Sequence, residues 1–488
     1  MVPQEARIHC VACHRKLAQG VWSRHASDVK LCLALLATLL LNCPLIAAPT
    51  NLVLIIADDC TYLDMEIYGG QAKTPHLNKL AKQGLTFTRC FQAAPMCSPT
   101  RHNIYTGLYP VKSGAWPNHT CVYPGTQSIA HYLQAQDYRV ALSGKKHISP
   151  KESFPFEYSG KSNPDMTAIG KLFEESKNNE APFCLIACSN EPHTPYNKGD
   201  ASAYPKDSLK LPPTFVDTVE TRHSYSKYLA EITYFDKQCG EIMTLLDKHE
   251  LAEDTLIMVV SEQGAGFPFA KWTCFELGLT SGMIARWPGK IKPDTRSEAL
   301  VEYVDILPTF LEAGAVPVPK GLDGKSFLPV LLGEASEHKT HTYGIHTTHG
   351  IIAGTETYGI RSCGTKTHRY IRNLHADLTF KNVVTRKGGD KADFWTSWVA
   401  KAESGDAHAK AMVRKYQHRP AEELYDVEKD PHCLNNLIED PTLADLHQEL
   451  SRKMDDWMTS QGDKGQETEA IAHTRKAGFG KQKKAVKP

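Results

Sequence analysis

The stretch best equipped for chemistry is Cys97-Ser98-Pro99-Thr100-Arg101. A strand-like run, Leu85-Thr86-Phe87-Thr88, leads into it through Cys90 and Phe91, and a helix is expected over Asn103–Thr106, stopping at Gly107. Ser98 can cap that helix, and Pro99 suits its first turn, where no backbone N–H is needed. Cys97 would then stand at a helix N-terminus, where the dipole and free N–H groups favour an anion. Arg101, one turn along, adds a fixed positive charge facing the same way. Sulfur at an anion-binding helix start suits nucleophilic attack on an anionic group. A buried cysteine beside a helix cap would read the same, and the pentapeptide alone does not separate the two.

Other reactive groups follow apolar runs. Asn51–Ala57 ends in Asp58-Asp59; Tyr138–Leu142 leads to Lys145 and His147; Pro182–Cys188 leads to His193, set in a rigid loop by Pro192 and Pro195; Thr255–Val260 leads to Glu262-Gln263. Continuous apolar runs of this length are strands buried on both faces of a parallel sheet. Helical patterns lie between them, over Thr74–Gly84, Ile129–Gln136 and Leu229–Leu246. The alternation predicts an α/β fold with a largely parallel sheet, whose strands would deliver these groups to one edge. Asp58 and Asp59 repel each other unless a cation or base lies between them; a solvated turn is the other reading. With Glu262 and Gln263 they make an oxygen-rich cage without imidazole or thiol, suited to a hard cation such as Ca²⁺.

The 488 residues can hold one large and one smaller domain. A helix over Tyr303–Ala313 closes the first, and residues 315–335 form a Gly/Pro-rich link. Short segments at Thr342–Ile345, Gly350–Ala353, Tyr358–Ser362 and Arg369–Arg372 read as antiparallel strands, and Leu443–Met458 as an amphipathic helix. The expected divisions are a leader at 1–48, a catalytic domain at 49–335, a smaller α+β domain at 336–464 and a basic, disordered tail at 465–488.

A net charge of +1 excludes a polyanion-binding body, so nucleic acid is not an expected partner and any anion site must be local. Residues 31–46 are apolar, preceded by Arg24 and Lys30 and followed by Ala47-Ala48-Pro49. They read as a cleaved signal peptide, implying export to a periplasmic or extracellular space, or to a lysosome-like compartment in a eukaryote, with no stable membrane span. Cys10-Val11-Ala12-Cys13-His14 has haem-attachment spacing but lies upstream of that segment with no domain around it. Of 14 cysteines, Cys10, Cys13, Cys32 and Cys43 precede the expected cleavage point; most of the others read as small buried hydrophobes.

Taken together and in order, Asp58-Asp59, Cys97-x-Pro99-x-Arg101, Gly144-Lys145-x-His147, Pro192-His193-x-Pro195 and Ser261-x-x-Gly264 resemble the formylglycine-dependent sulfatases of the alkaline phosphatase superfamily, over nearly all of residues 50–460. Glu423-Leu424-Tyr425-Asp426 with Asp430-Pro431 and Asn436-Leu437 is similar to the family's C-terminal domain. Gly144–His147 with Pro155-Phe156, and the Phe267-Pro268…Lys271 run, are most similar to its heparan N-sulfatase (sulfamidase) branch. The resemblance implies an alkaline phosphatase-like fold and oxidation of Cys97 to formylglycine by a maturation enzyme. The hydrated aldehyde would attack sulfur, expel the alcohol or amine of a sulfated saccharide, and collapse to release sulfate.

It further implies that Asp58, Asp59, Glu262 and Gln263 hold one Ca²⁺, and that Arg101 holds the hydrate. Lys145 and Lys271 would bind sulfate oxygens, His147 would assist hydrate collapse, and His193 would bind sulfate and protonate the leaving group. Glu262-Gln263 stand where many members have Asp-Asn or Asp-His, one methylene shorter, and Lys271 where the sulfamidase pattern often has Arg. A sulfatase acting on N- or O-sulfated sugars, including algal ones, is the leading expectation. A phosphoester or phosphonate hydrolase of the same superfamily, or a non-catalytic sugar-binding protein, are the alternatives.

Overall fold

The computed structural model describes residues 50–386 and 393–475. The leader, the apolar run 31–46 and the Cys10–His14 motif lie outside them, as does the chain beyond Arg475. The strands are β1 (Asn51–Ala57), β2 (Leu85–Phe91), β3 (Arg139–Gly144), β4 (Glu157–Ser159), β5 (Phe183–Cys188), β6 (Thr255–Ser261), β7 (Thr280–Arg286), β8 (Thr295–Ser297) and β9 (Val301–Glu302). They build a nine-stranded sheet in the order β4-β3-β5-β1-β6-β7-β2-β8, with β9 also paired to β2. Only the pairings of β7, with β6 and β2, are antiparallel.

The register positions the site. Ala57 pairs with Ser261, and Ile56 and Gly144 both pair with Cys188. Asp58, Glu262, Ser189 and Lys145 therefore leave the sheet at one level, as carboxyl ends of adjacent parallel strands must.

Both faces of the sheet are covered, which is why its strands read as unbroken apolar runs. Helices α1 (Pro75–Lys82), α2 (Cys97–Thr106), α3 (Ile129–Gln134), α4 (Met166–Asn179), α5 (Val219–Lys248) and α6 (Ile306–Ala313) surround it. Val53, Ile55, Leu185 and Val259 pack towards Leu229, Ile232 and Phe235 of α5. Leu54, Ile56, Ile186 and Met258 face Ile129 and Leu133 of α3 and Ile306 and Phe310 of α6.

Some local expectations are corrected. Helix α2 starts six residues earlier than Asn103, with Met96 at the cap position and Cys97 as its first residue; Gly107, at φ 66°, ends it as expected. Ser98 is not the cap: it is already helical and buried, and its Oγ lies 3.4 Å from His102 Nδ1. Helix α5 begins at Val219 because Thr218 Oγ1 accepts the Thr221 N–H at 3.1 Å, a cap ahead of a polar turn that carries no apolar period.

The second sheet is antiparallel throughout, β10 (Thr342–Thr347), β11 (Gly359–Gly364), β12 (His368–Asn373) and β13 (Glu422–Asp426) in that order. Gly350–Ala353, expected as a strand, is a turn in which Gly350 (φ 82°) and Ala353 (φ 57°) take left-handed backbone that no strand accepts. Helix α7 (Ala444–Ser460) matches the amphipathic expectation. Beyond it the chain is structured past Gly465, where disorder was expected: α8 (Gln466–Ala470) places buried Glu469 2.9 Å from Arg361 of β11. The two sheets belong to one compact unit, tied by the Arg369–Glu276 ion pair at 3.0 Å and by the Ile345 N–H donated to Ala93 O at 2.8 Å.

Candidate active site

Cys97 Sγ lies 3.5 Å from Asp58 Oδ1, 4.0 Å from Asp59 Oδ1, 3.4 Å from Gln263 Nε2 and 3.1 Å from Lys271 Nζ. Each surrounding carboxylate has its own cation. Asp58 pairs with Lys145, Glu262 pairs with Arg101, and both oxygens of Asp59 accept from Lys271 Nζ, at 2.5 and 2.7 Å. All three acids and Arg101 and Lys271 are buried. Arg101 also donates to Lys145 O at 3.1 Å, linking the α2 turn to the loop after β3. Three buried acids and three bases cancel, so the chain's own charges leave the floor neutral.

These charges set protonation states. Burial would push the Glu262 carboxyl up, but Arg101, Lys145 and Lys271 hold it well below the usual carboxylate range. Lys271 is buried yet kept protonated by Asp59. Burial and Glu262 push the Cys97 thiol up to about 12, despite Lys271. This corrects the expectation of a nucleophilic sulfur, because the thiolate is the nucleophile and Cys97 is a neutral thiol at physiological pH. The helix start does not rescue it, since the nearest full charges include two carboxylates within 4.0 Å.

Above Cys97 opens a cavity of about 230 Å³ lined by Asp59, Lys145, His147, His193 and Lys271. His193 Nδ1 lies 2.6 Å from Thr194 O and so carries a proton donated there, which leaves Nε2 facing Asp59 Oδ2 at 3.6 Å. Burial, with Lys145 and His119 adding to it, pushes His147 well below the ordinary histidine range, so its ring is neutral. Asp59 (φ 62°), His119 (φ 58°), His147 (φ 49°) and Trp272 (φ 73°) all line the cavity with left-handed backbone. Such strain costs about 1–3 kcal/mol per residue and gathers at functional sites.

The donor set fits a hard cation. Oxygens of Asp58, Asp59 and Glu262 lie within 4.8 Å of one another and of Cys97 Sγ. Gln263 presents Nε2 to Asp59 Oδ1 (2.6 Å) and Glu262 Oε2 (3.1 Å), while its Oε1 is buried without a hydrogen-bond partner. A half-turn of the amide exchanges the two atoms and sets an oxygen among carboxylates, as a Ca²⁺ ligand requires. The longer Glu262 still reaches the cluster because Arg101 draws its carboxylate in.

The structure thus gathers all ten expected residues. It also adds Asn118, His119, Trp272, Ile351, Ile352, Val383 and Val384 to the cavity wall. Trp116-Pro117-Asn118-His119, a polar pair after a proline in a loop, was the only signal for the first two. Ile351 and Ile352 come from the turn at Gly350–Ala353, where a strand was expected.

A profile described as Sulfatase matches residues 50–316, and one described as N-sulphoglucosamine sulphohydrolase, C-terminal, matches residues 265–380. The chain is 30% identical over 432 residues to an ulvan-active sulfatase of Formosa agariphila, covering 86% of this chain and 82% of that one. It is 25% identical over 471 residues to human N-sulphoglucosamine sulphohydrolase, covering 84% and 90% respectively. In fold it is similar to BT4656 solved with its substrate D-glucosamine-2-N,6-O-disulfate (TM-score 0.64, 18% identity, 85% of this chain and 99% of that one). It is likewise similar to Ps i-CgsB solved with k-i-k-neocarrahexaose (TM-score 0.62, 19% identity, 88% and 98%).

Proposed function

The chain belongs to the sulfatase family, and on that premise we propose that it removes sulfate from saccharides through residue 97, matured from cysteine to formylglycine, with N-sulfated glucosamine as the first substrate type. The observation that carries this is Cys97 Sγ seated 3.1 Å from Lys271 Nζ and 3.5 Å from Asp58 Oδ1 beneath the cavity. As a protonated thiol, the unmodified residue is ill suited to attack. Formylglycine there supplies a hydrated aldehyde whose hydroxyl attacks sulfur, splitting one hard displacement into two. Asp58, Asp59 and Glu262, with Gln263 beside them, would hold a Ca²⁺, which would supply a Lewis acid for a sulfate oxygen.

The protein's own residues do the rest. Lys145 and Lys271, charged and on flexible stems, bind sulfate oxygens, and Arg101 fixes Glu262 and the first turn of α2. His147, with a neutral ring at the wall, takes the proton of the hydrate. His193, anchored through Nδ1, presents Nε2 to protonate the leaving nitrogen or oxygen.

N-sulfate is favoured by the match over residues 265–380 and by the human relative. O-sulfated algal sugars are the second reading, favoured by the ulvan-active relative. The apolar run 31–46 supports export. Among the described residues no helix is long and apolar enough to cross a membrane. The test is sulfate release by protein co-produced with a formylglycine-generating enzyme, on N-sulfoglucosamine, 6-O-sulfoglucosamine and ulvan oligosaccharides, with Cys97→Ala as control. Release from N-sulfoglucosamine alone supports the first reading, and release from O-sulfated sugars alone the second. Silence across the panel with residue 97 converted defeats both.

A further inference from the structure

Arg475 closes a short turn, Ala472–Arg475, after α8, and lies in none of the motifs above. It nevertheless grips the loop that builds one cavity wall. Its Nε donates to Gly114 O at 2.8 Å and its Nη2 to Cys121 O at 2.9 Å. Its guanidinium lies 4.2 Å from the centre of the Tyr123 ring, and Thr120 Oγ1 donates to its backbone carbonyl. A Cβ on Gly114 would meet Nη2 at 2.6 Å, so the guanidinium sits directly on the loop backbone. Helix α8, just before the turn, is anchored by the buried Glu469–Arg361 ion pair.

The loop spans 114–123 and delivers Asn118 and His119 to the cavity. Asn118 Oδ1 accepts the Ser98 N–H at 3.4 Å, beside Cys97. His119 Nδ1 lies 3.0 Å from Gly350 O, and its ring centre 4.7 Å from that of His147. The loop is also held by the buried side chains of Ala115, Trp116 and Val122 and by single hydrogen bonds; to these Arg475 adds a two-bond grip on its backbone, and His119 is held in left-handed backbone. A bidentate guanidinium stacked on an aromatic ring is the arrangement that fixes such a segment at small entropic cost.

We propose that Arg475 is a positioning residue that clamps loop 114–123 and thereby holds Asn118 and His119 at the wall where the saccharide docks. The clamp acts on the substrate side of the site, so its loss falls on KM more than on kcat. The activity arm of this proposal rests on the sulfatase reading; the loop arm does not.

The experiment compares full-length wild type, Arg475→Ala and Arg475→Lys by amide hydrogen exchange, thermal unfolding and kinetics on whichever saccharide of the panel above the wild type turns over. Expected for Arg475→Ala is about tenfold faster exchange confined to residues 114–123, since local opening is governed by local contacts. KM should rise about fivefold with kcat and melting temperature little changed, because displacing a positioning group costs binding geometry. Arg475→Lys, with the charge but not the fork, should fall between. Unchanged loop exchange overturns the clamp whether or not the enzyme turns over, and faster exchange with unchanged KM overturns its role at the site. A wild type silent on every saccharide with residue 97 shown to be converted defeats the saccharide reading, and the exchange arm then decides the clamp by itself.

Discussion

Lys271 Nζ lies 3.1 Å from Cys97 Sγ, although 174 residues separate them in the chain. The same ammonium donates to both oxygens of Asp59, so one buried cation joins the residue to be matured to the acid cluster beneath it. A charge held there faces the place where a sulfate oxygen must sit once residue 97 attacks sulfur.

Replacing Lys271 by Met should lower kcat/KM by about 10²–10³, the loss typical of one preorganised donor at a developing charge. Lys271→Arg should keep most of the activity, because charge and reach are conserved. Steady-state sulfate release measures both, and equal activity in Lys271→Met and wild type would remove Lys271 from the mechanism.

His193→Ala should depend on the leaving group. If Nε2 protonates the departing atom, loss of about 10²–10⁴ is expected on a sugar sulfate or sulfamate, whose leaving group is basic. On 4-nitrophenyl sulfate, whose leaving group needs no proton, the loss should be far smaller. Equal losses on the two substrates would assign His193 to binding instead.

Chelation should inactivate the protein and lower its melting temperature, and added Ca²⁺ should restore both. At a concentration about 100-fold above its dissociation constant the ion adds about 2.7 kcal/mol of stability. Asp58→Asn should abolish the Ca²⁺-dependent shift, since it removes a ligand charge from the cluster. A melting temperature indifferent to Ca²⁺ and chelator would argue against the cage.

His102, buried in α2 behind Cys97, should make the fold acid-sensitive. Its Nδ1 lies 2.7 Å from Ser98 O and its Nε2 lies 3.1 Å from both the N–H and the carbonyl oxygen of Ser149, and burial outweighs these contacts in keeping the ring neutral. Burial lowers it to about 4 in the folded state, against 6.5 ordinarily. Between these values the unfolded chain binds a proton that the folded chain refuses. The stabilisation is fully present above pH 6.5 and is lost as the pH falls to about 4, up to about 3 kcal/mol. Urea unfolding at pH 7 and pH 4.5 should show wild type losing more than His102→Asn; parallel losses would place the acid sensitivity elsewhere.

Much of this protein was legible in the chain. The runs at 52–57, 183–188 and 256–260 are apolar throughout, which suits strands of a sheet covered on both faces, and that places the residues after them on one edge. The identity of the oxygen donors and of Cys97-x-Pro99-x-Arg101 is local information of the same kind. Tertiary structure decided what depends on distance in space. The apparent promise of Cys97 as a thiol nucleophile was reversed by burial and by Glu262 and Asp59, brought in from the ends of β6 and β1, which no reading of the pentapeptide contains. Ser98 lost its capping role because the helix began one turn and a half earlier, drawn up to the acid cluster through Arg101 and Glu262. Gly350–Ile352 and Arg475 carry no periodicity or motif, and acquire meaning only where the chain returns to meet loop 114–123. Periodicity and residue type are properties of neighbours in sequence, whereas protonation, clamping and the shape of a cavity are set by neighbours in space.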